Sequence, residues 1–138
     1  MTAVPAPVPC RQPLPADALH GVELFNAGRF FDAHEALETA WRAESGEIRY
    51  LYQGILQVGV GYYHIQRGNP LGARKLLTSA LDYLARFPDE CQGVDVARLR
   101  ADARRVLDRL ERTPPAQIAS FDQTLFTRIR LIAPPESD

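Results

Sequence analysis

Apolar residues recur along most of this chain with the three-to-four-residue spacing of amphipathic helices. Phe30, Ala33, Leu37 and Trp41 share one helical sector, Leu51, Ile55, Val58, Tyr62 and Ile65 a second, and Leu99, Ala103, Val106, Leu107 and Leu110 a third. Breakers punctuate these stripes. Asp17 is an expected N-cap for a first helix over 17–27, which Gly28 ends in a left-handed turn. A second helix is predicted over 30–44, broken by Ser45-Gly46, and a third over 47–67, ended by Gly68. Asn69-Pro70 starts the fourth: Asn caps, and Pro occupies the first helical position, where its missing N–H costs nothing. That helix is predicted to end near 87, before Pro88. A fifth runs from the Asp95 cap to about 112, where Pro114-Pro115 stop it. Residues 116–133 read either as a short helix or as an extended segment laid over the bundle.

The predicted fold is therefore all-α, a single-domain bundle of about five helices in antiparallel hairpins. A weak internal repeat, 28–34 against 68–74 at an offset of 40, reads as one turn used twice rather than as a tetratricopeptide array, whose period is about 34. Gly54 and Gly61 interrupt the central helix and are expected where another helix approaches closely. The domain is predicted over 16–133. Five of the 11 prolines lie in residues 1–15, read as a flexible tail, and 134–138 read as a frayed C-terminus.

Composition narrows the picture. A net charge of −1 over 138 residues gives no global basic field, so nucleic acid is not the expected partner. Residues 50–66 contain no Asp, Glu, Lys or Arg, but they are short for a membrane span and carry Gln53, Gln57, His64 and Gln66. A central core helix explains them better, and no membrane association is expected. Cys10 and Cys91 are far apart and form no metal-type spacing; two reduced thiols in a cytoplasmic protein are the expectation.

The polar residues on otherwise apolar faces are the candidates for chemistry. His34 falls inside the buried sector of the second helix, and Glu38 lies at its edge one turn on, while Glu35 and Arg42 point elsewhere. Burying a carboxylate without a partner is costly, so Glu38 is expected to be mostly buried and bonded to Gln53 or Gln57 across the Ser45-Gly46 turn. Trp41 and His64 complete this polar centre. Three readings compete. One is a satisfied internal hydrogen-bond network. Another is a metal site using His34, Glu38 and His64, as helical bundles hold metals with Glu and His. The last is an acid/base pair of His34 with Glu38. His64 lies about two turns beyond Gln57, on the order of 10 Å at 1.5 Å per residue, so no metal and no cofactor are expected. No phosphate loop or Ser/His/Asp set is present.

The segments FNAGRFFDAHEALETAW, YLYQGILQVGVGYYH and RGNPLGARKLL together resemble the domain of unknown function 309 family over about residues 19–84. The family's signature falls on Phe25, Asn26, Gly28, Phe31, His34, Glu35, Glu38, Trp41, Gln53, Gly54, Gln57, His64, Gly68 and Asn69. Asp32 replaces an expected Glu and Gly59 an expected Ala. The resemblance implies a small helical fold and no established activity. The expected function is a non-enzymatic interaction or scaffold module that binds a protein partner or small ligand. A small metal-dependent enzyme is the alternative.

Overall fold

The computed structural model describes residues 8–132. Its centre is the uncharged helix the sequence singled out. Leu51, Tyr52, Ile55, Val58 and Tyr62 are fully enclosed on it, as an all-round apolar helix requires. The helices are α1 (Val8–Arg11), α2 (Ala16–Asn26), α3 (Phe30–Ala43), α4 (Arg49–Gln66), α5 (Pro70–Leu84) and α6 (Val96–Glu111). From α2 onward, neighbours in sequence are neighbours in space: α2 packs on α3, α3 on α4, α4 on α5 and α5 on α6. The fold is all-α apart from a two-stranded antiparallel hairpin, β1 (Glu90–Cys91) with β2 (Val94–Asp95), which the sequence reading did not foresee.

The repeated turn is real in atomic detail. The Gly28 N–H bonds the Phe25 carbonyl and the Arg29 N–H the Leu24 carbonyl; Gly68 and Asn69 do the same to Ile65 and His64. This is the double C-terminal closure in which the residue after the helix must be left-handed. Gly28 and Gly68 have φ of 78° and 74°. Asn69 then caps α5 by accepting from the Gly72 N–H at 3.0 Å, and Asp95 caps α6 through the Arg98 N–H. Asp17 does not cap α2; Pro15 holds that position and Asp17 lies in the first turn. Helix α5 stops at Leu84, three residues earlier than expected, and 85–87 continue as turns.

Gly54 and Gly61 of α4 face α5. A Cβ on Gly54 would lie 2.8 Å from Leu84 Cδ2, and one on Gly61 2.9 Å from Leu77 Cγ. Both leucines are fully buried, so the crossing distance depends on the missing side chains.

Both chain ends of the described region correct the expected picture. Residues 1–7 of the supposed tail, and the supposed frayed end 134–138, lie outside the described residues. Residues 8–15 do not behave as a free tail: Cys10 is buried and disulfide-bonded to Cys91, so the two cysteines are not free thiols. Sequence separation, here 81 residues, says nothing about distance once a hairpin brings the chain back. At the other end, two 3-10 turns (Pro115–Ser120 and Gln123–Leu125) lead into an extended stretch laid over the bundle. Asn26 fastens it, donating to the Ile129 carbonyl at 3.0 Å and accepting from the Ile129 N–H at 2.7 Å. Phe126 stacks on Tyr62 at 4.5 Å, within an aromatic cluster that includes Phe25 and Phe30.

Candidate functional site

Helix α3 presents Phe31, His34, Glu38 and Trp41 at intervals of three, four and three residues, which align them on one face. Helix α4 presents Gln53, Gln57, Val60 and His64 in the same manner. The α3 and α4 residues are half-buried, apart from Phe31, which is exposed. The Phe31 and Tyr63 rings meet at 5.7 Å, which sets the antiparallel register of the two helices. Counted along the two antiparallel helices from that contact, Gln57 comes level with the turn from His34 to Glu38, and Gln53 with Trp41. The sequence reading set Gln53 and Gln57 against Glu38 and His34.

It did not anticipate the bonding. Glu38 is partly buried, with its side chain 35% exposed. Among the described residues no hydrogen bond joins it to Gln53 or Gln57. Its partners lie on its own helix, one turn to each side: His34 Nε2 at 3.3 Å and Arg42 Nη2 at 2.9 Å. Arg42 therefore reaches Glu38, contrary to expectation, because a long side chain spans the i,i+4 gap from outside the buried sector. The carboxylate keeps its solvent and needs no partner from α4.

The polar atoms left over belong to its neighbours. Among the described residues His34 Nδ1, Trp41 Nε1 and Gln57 Oε1 are enclosed and have no hydrogen-bond partner. Buried polar atoms are normally satisfied, so three such atoms on one band are unusual. Each belongs to a residue that is itself only half-buried.

The other expected site residues fall elsewhere. His64 sits at the end of α4, with Nδ1 3.4 Å from Asn69 Nδ2, and belongs to the turn built by Gly68 and Asn69. Among the described residues no three His, Cys, Asp or Glu side chains are grouped as a metal ion would need, and His34, Glu38 and His64 are not brought together. Glu35 points away from the band into a shallow groove of about 370 Å³ between α2 and α3, beside Asp17, His20, Arg29 and Asp32. Arg29 and Asp32 in that groove neutralise each other at 2.6 Å.

The buried carboxylate is Asp102 instead, on α6. It is 5% exposed and accepts from the Thr127 hydroxyl, with Arg105 Nη1 at 3.4 Å and Arg98 Nε at 3.7 Å. Its spacing of three and four from Leu99 and Val106 puts it on the buried stripe, a signal present in the sequence. Asp102 also bears on Tyr62: burial first, then the nearby negative charge of Asp102, raise that phenol's pKa well above its ordinary value.

The fold is that of a small helical domain. Residues 18–76 match the family described as Domain of unknown function (DUF309). It is 30% identical over 95 residues to an uncharacterized protein of Aquifex aeolicus, an alignment covering 68% of this chain and 28% of that protein. It is 32% identical over 91 residues to the uncharacterized protein YpuF of Bacillus subtilis, covering 63% of this chain and 52% of that one. The chain thus spans about half or less of the length of these relatives. Among the described residues no helix is long and apolar enough to cross a membrane.

Proposed function

We propose that this domain is a non-enzymatic interaction module of the cytoplasm that docks a protein segment along the α3–α4 band. The observation that carries the reading is the trio of unpartnered polar atoms, His34 Nδ1, Trp41 Nε1 and Gln57 Oε1, on adjoining faces of two helices. An indole N–H is a donor, an amide oxygen an acceptor, and a neutral imidazole nitrogen either one. A peptide backbone supplies both complements at once. Phe31, 53% exposed and in ring contact with Tyr63, offers an aromatic surface at the end of the same band for an apolar side chain. The measurement is site-directed photo-crosslinking in the native cells, with a benzophenone amino acid at Phe31 and, as control, at the exposed Leu131. A discrete adduct from position 31 that disappears in a His34→Ala/Gln57→Ala background is expected. The same adducts from both positions, or none from position 31, would refute the reading.

A further inference from the structure

Helix α1 is four residues long, too short to persist by itself. Its anchoring is concentrated at one place. Besides the Cys10–Cys91 disulfide, it is held by two hydrogen bonds to one residue of the hairpin: Gln92 N–H to the Cys10 carbonyl at 2.7 Å, and Gln92 Nε2 to the Pro9 carbonyl at 2.8 Å. Its recurrent tertiary contacts are with β1. Gln92 itself is buried in a left-handed conformation, φ 50°, uncommon for a residue with a side chain. Its Oε1 accepts from the Tyr52 hydroxyl of α4 at 2.7 Å. A chain of contacts thus runs from α1 through the hairpin turn to the central helix, and the disulfide is its one covalent link. The helices from α2 onward pack successively on one another, and the leading segment adds Cys10 and, at its edge, Leu14 to the core.

We infer that Cys10–Cys91 is a redox clasp, which docks the segment 8–13 on the β1–β2 hairpin when oxidised and releases it when reduced, while the helical core stays folded. The agent is a dithiol reductant. One of its thiolates attacks a sulfur of the disulfide, forming a mixed disulfide and expelling the other cysteine as a thiolate. Its second thiolate then displaces the first cysteine. Cys10 and Cys91 end as thiols, having gained two electrons and two protons, and the reductant leaves as its own disulfide. Because Cys91 is fully enclosed and Cys10 nearly so, attack goes through local opening of α1, a single helical turn held chiefly at the hairpin. Release uncovers the hairpin turn and opens the Tyr52–Gln92 bond to water. The clasp does not depend on the docking band, and its test reads neither partner nor ligand.

Arg11, exposed at the end of α1 and followed by Gln12, reports the state of the clasp to trypsin. Oxidised and dithiothreitol-reduced protein would be digested briefly, quenched, fully reduced and weighed, so that a cut after Arg11 is seen even when Cys10 is still tethered. Cleavage after Arg11 should accelerate by about tenfold or more on reduction, because proteolysis follows the population of the open form. Helical circular dichroism should be unchanged, and oxidised glutathione should restore protection. Cys10→Ser should be cut at the fast rate under either condition. Equal rates in both redox states would overturn the inference. So would two titratable thiols in protein never exposed to reductant and refusing oxidation. Loss of helical signal on reduction, or failure of Cys10→Ser to fold, would show a structural brace instead.

Discussion

Replacing Asp102 and Glu38 separately by alanine distinguishes a carboxylate that the fold has enclosed from one it has left in water. Asp102 is 5% exposed and accepts a hydrogen bond from Thr127, which ties the C-terminal segment to α6. A hydrogen bond to a charged group is worth about 1.5–3 kcal/mol. The guanidinium groups of Arg98 and Arg105 are about half exposed, so each adds at most about 1 kcal/mol after screening. Asp102→Ala should therefore cost about 2–4 kcal/mol. Glu38 pairs with Arg42, itself 70% exposed, and with His34, and such solvated i,i+4 pairs contribute about 0.3–0.5 kcal/mol. Glu38→Ala should cost under about 1 kcal/mol, far from the 3–5 kcal/mol of a broken buried pair. Urea unfolding followed by far-ultraviolet circular dichroism measures both. Asp102→Asn, which keeps an acceptor for Thr127, should fall between wild type and Asp102→Ala. A Glu38→Ala loss equal to or larger than that of Asp102→Ala would refute this assignment of the buried charge.

Gly61→Leu should lower the urea midpoint strongly, because overpacking against the enclosed Leu77 outweighs the gain of about 1 kcal/mol in helix propensity; Gly46→Ala, with nothing within 4 Å of its Cβ, should be near neutral. Asn26→Ala should cost about 2–3 kcal/mol, since it leaves the buried Ile129 N–H and carbonyl unpaired. Amide exchange of 126–132 should rise selectively in that variant. Burial first, then the charge of Glu44, push the Tyr52 phenol pKa up to about 12, against the pull of its bond to Gln92. A raised folded-state pKa stabilises fully below the unfolded value near 10 and is lost as pH rises through the folded value. Wild type should thus lose stability from about pH 10 towards pH 12 more steeply than Tyr52→Phe, measured by urea midpoint against pH. At neutral pH Tyr52→Phe should be about 1 kcal/mol weaker for the lost bond to Gln92.

What the sequence made legible was local. Gly28 and Gly68 announce left-handed closures because few residues but glycine fit there, and Asn69-Pro70 and Asp95 announce helix starts because their side chains answer the open N–H groups that follow. The glycines of α4 were legible as a close crossing for the same kind of reason. What escaped was set by partners distant in sequence. Cys10 meets Cys91 because α6 is preceded by a two-residue hairpin turn, and Gln92-Gly93 is a weak signal for one beside the usual Asn-Gly. The extended cover over 126–132 is held by Asn26, more than a hundred residues away.

The candidate site illustrates a different limit. His34, Glu38 and Arg42 stand at i, i+4 and i+8, so the pairing that keeps Glu38 in solvent was written in the spacing. A helical wheel placed Arg42 outside the sector and so hid it, because a wheel shows where a side chain leaves the helix and not where a long one ends. The same wheel applied to α6 puts Asp102 among Leu99, Ala103 and Val106, where a short side chain cannot escape to water. Short acids on a buried stripe must find partners inside the fold, and long acids at its edge need not. By that rule the internal carboxylate belongs to the closure of the C-terminal segment, and the α3–α4 band keeps its charge solvated. The unmet polar groups of the band are then an imidazole nitrogen, an indole and an amide. That chemistry suits recognition of a peptide backbone better than transfer of a proton or capture of a cation.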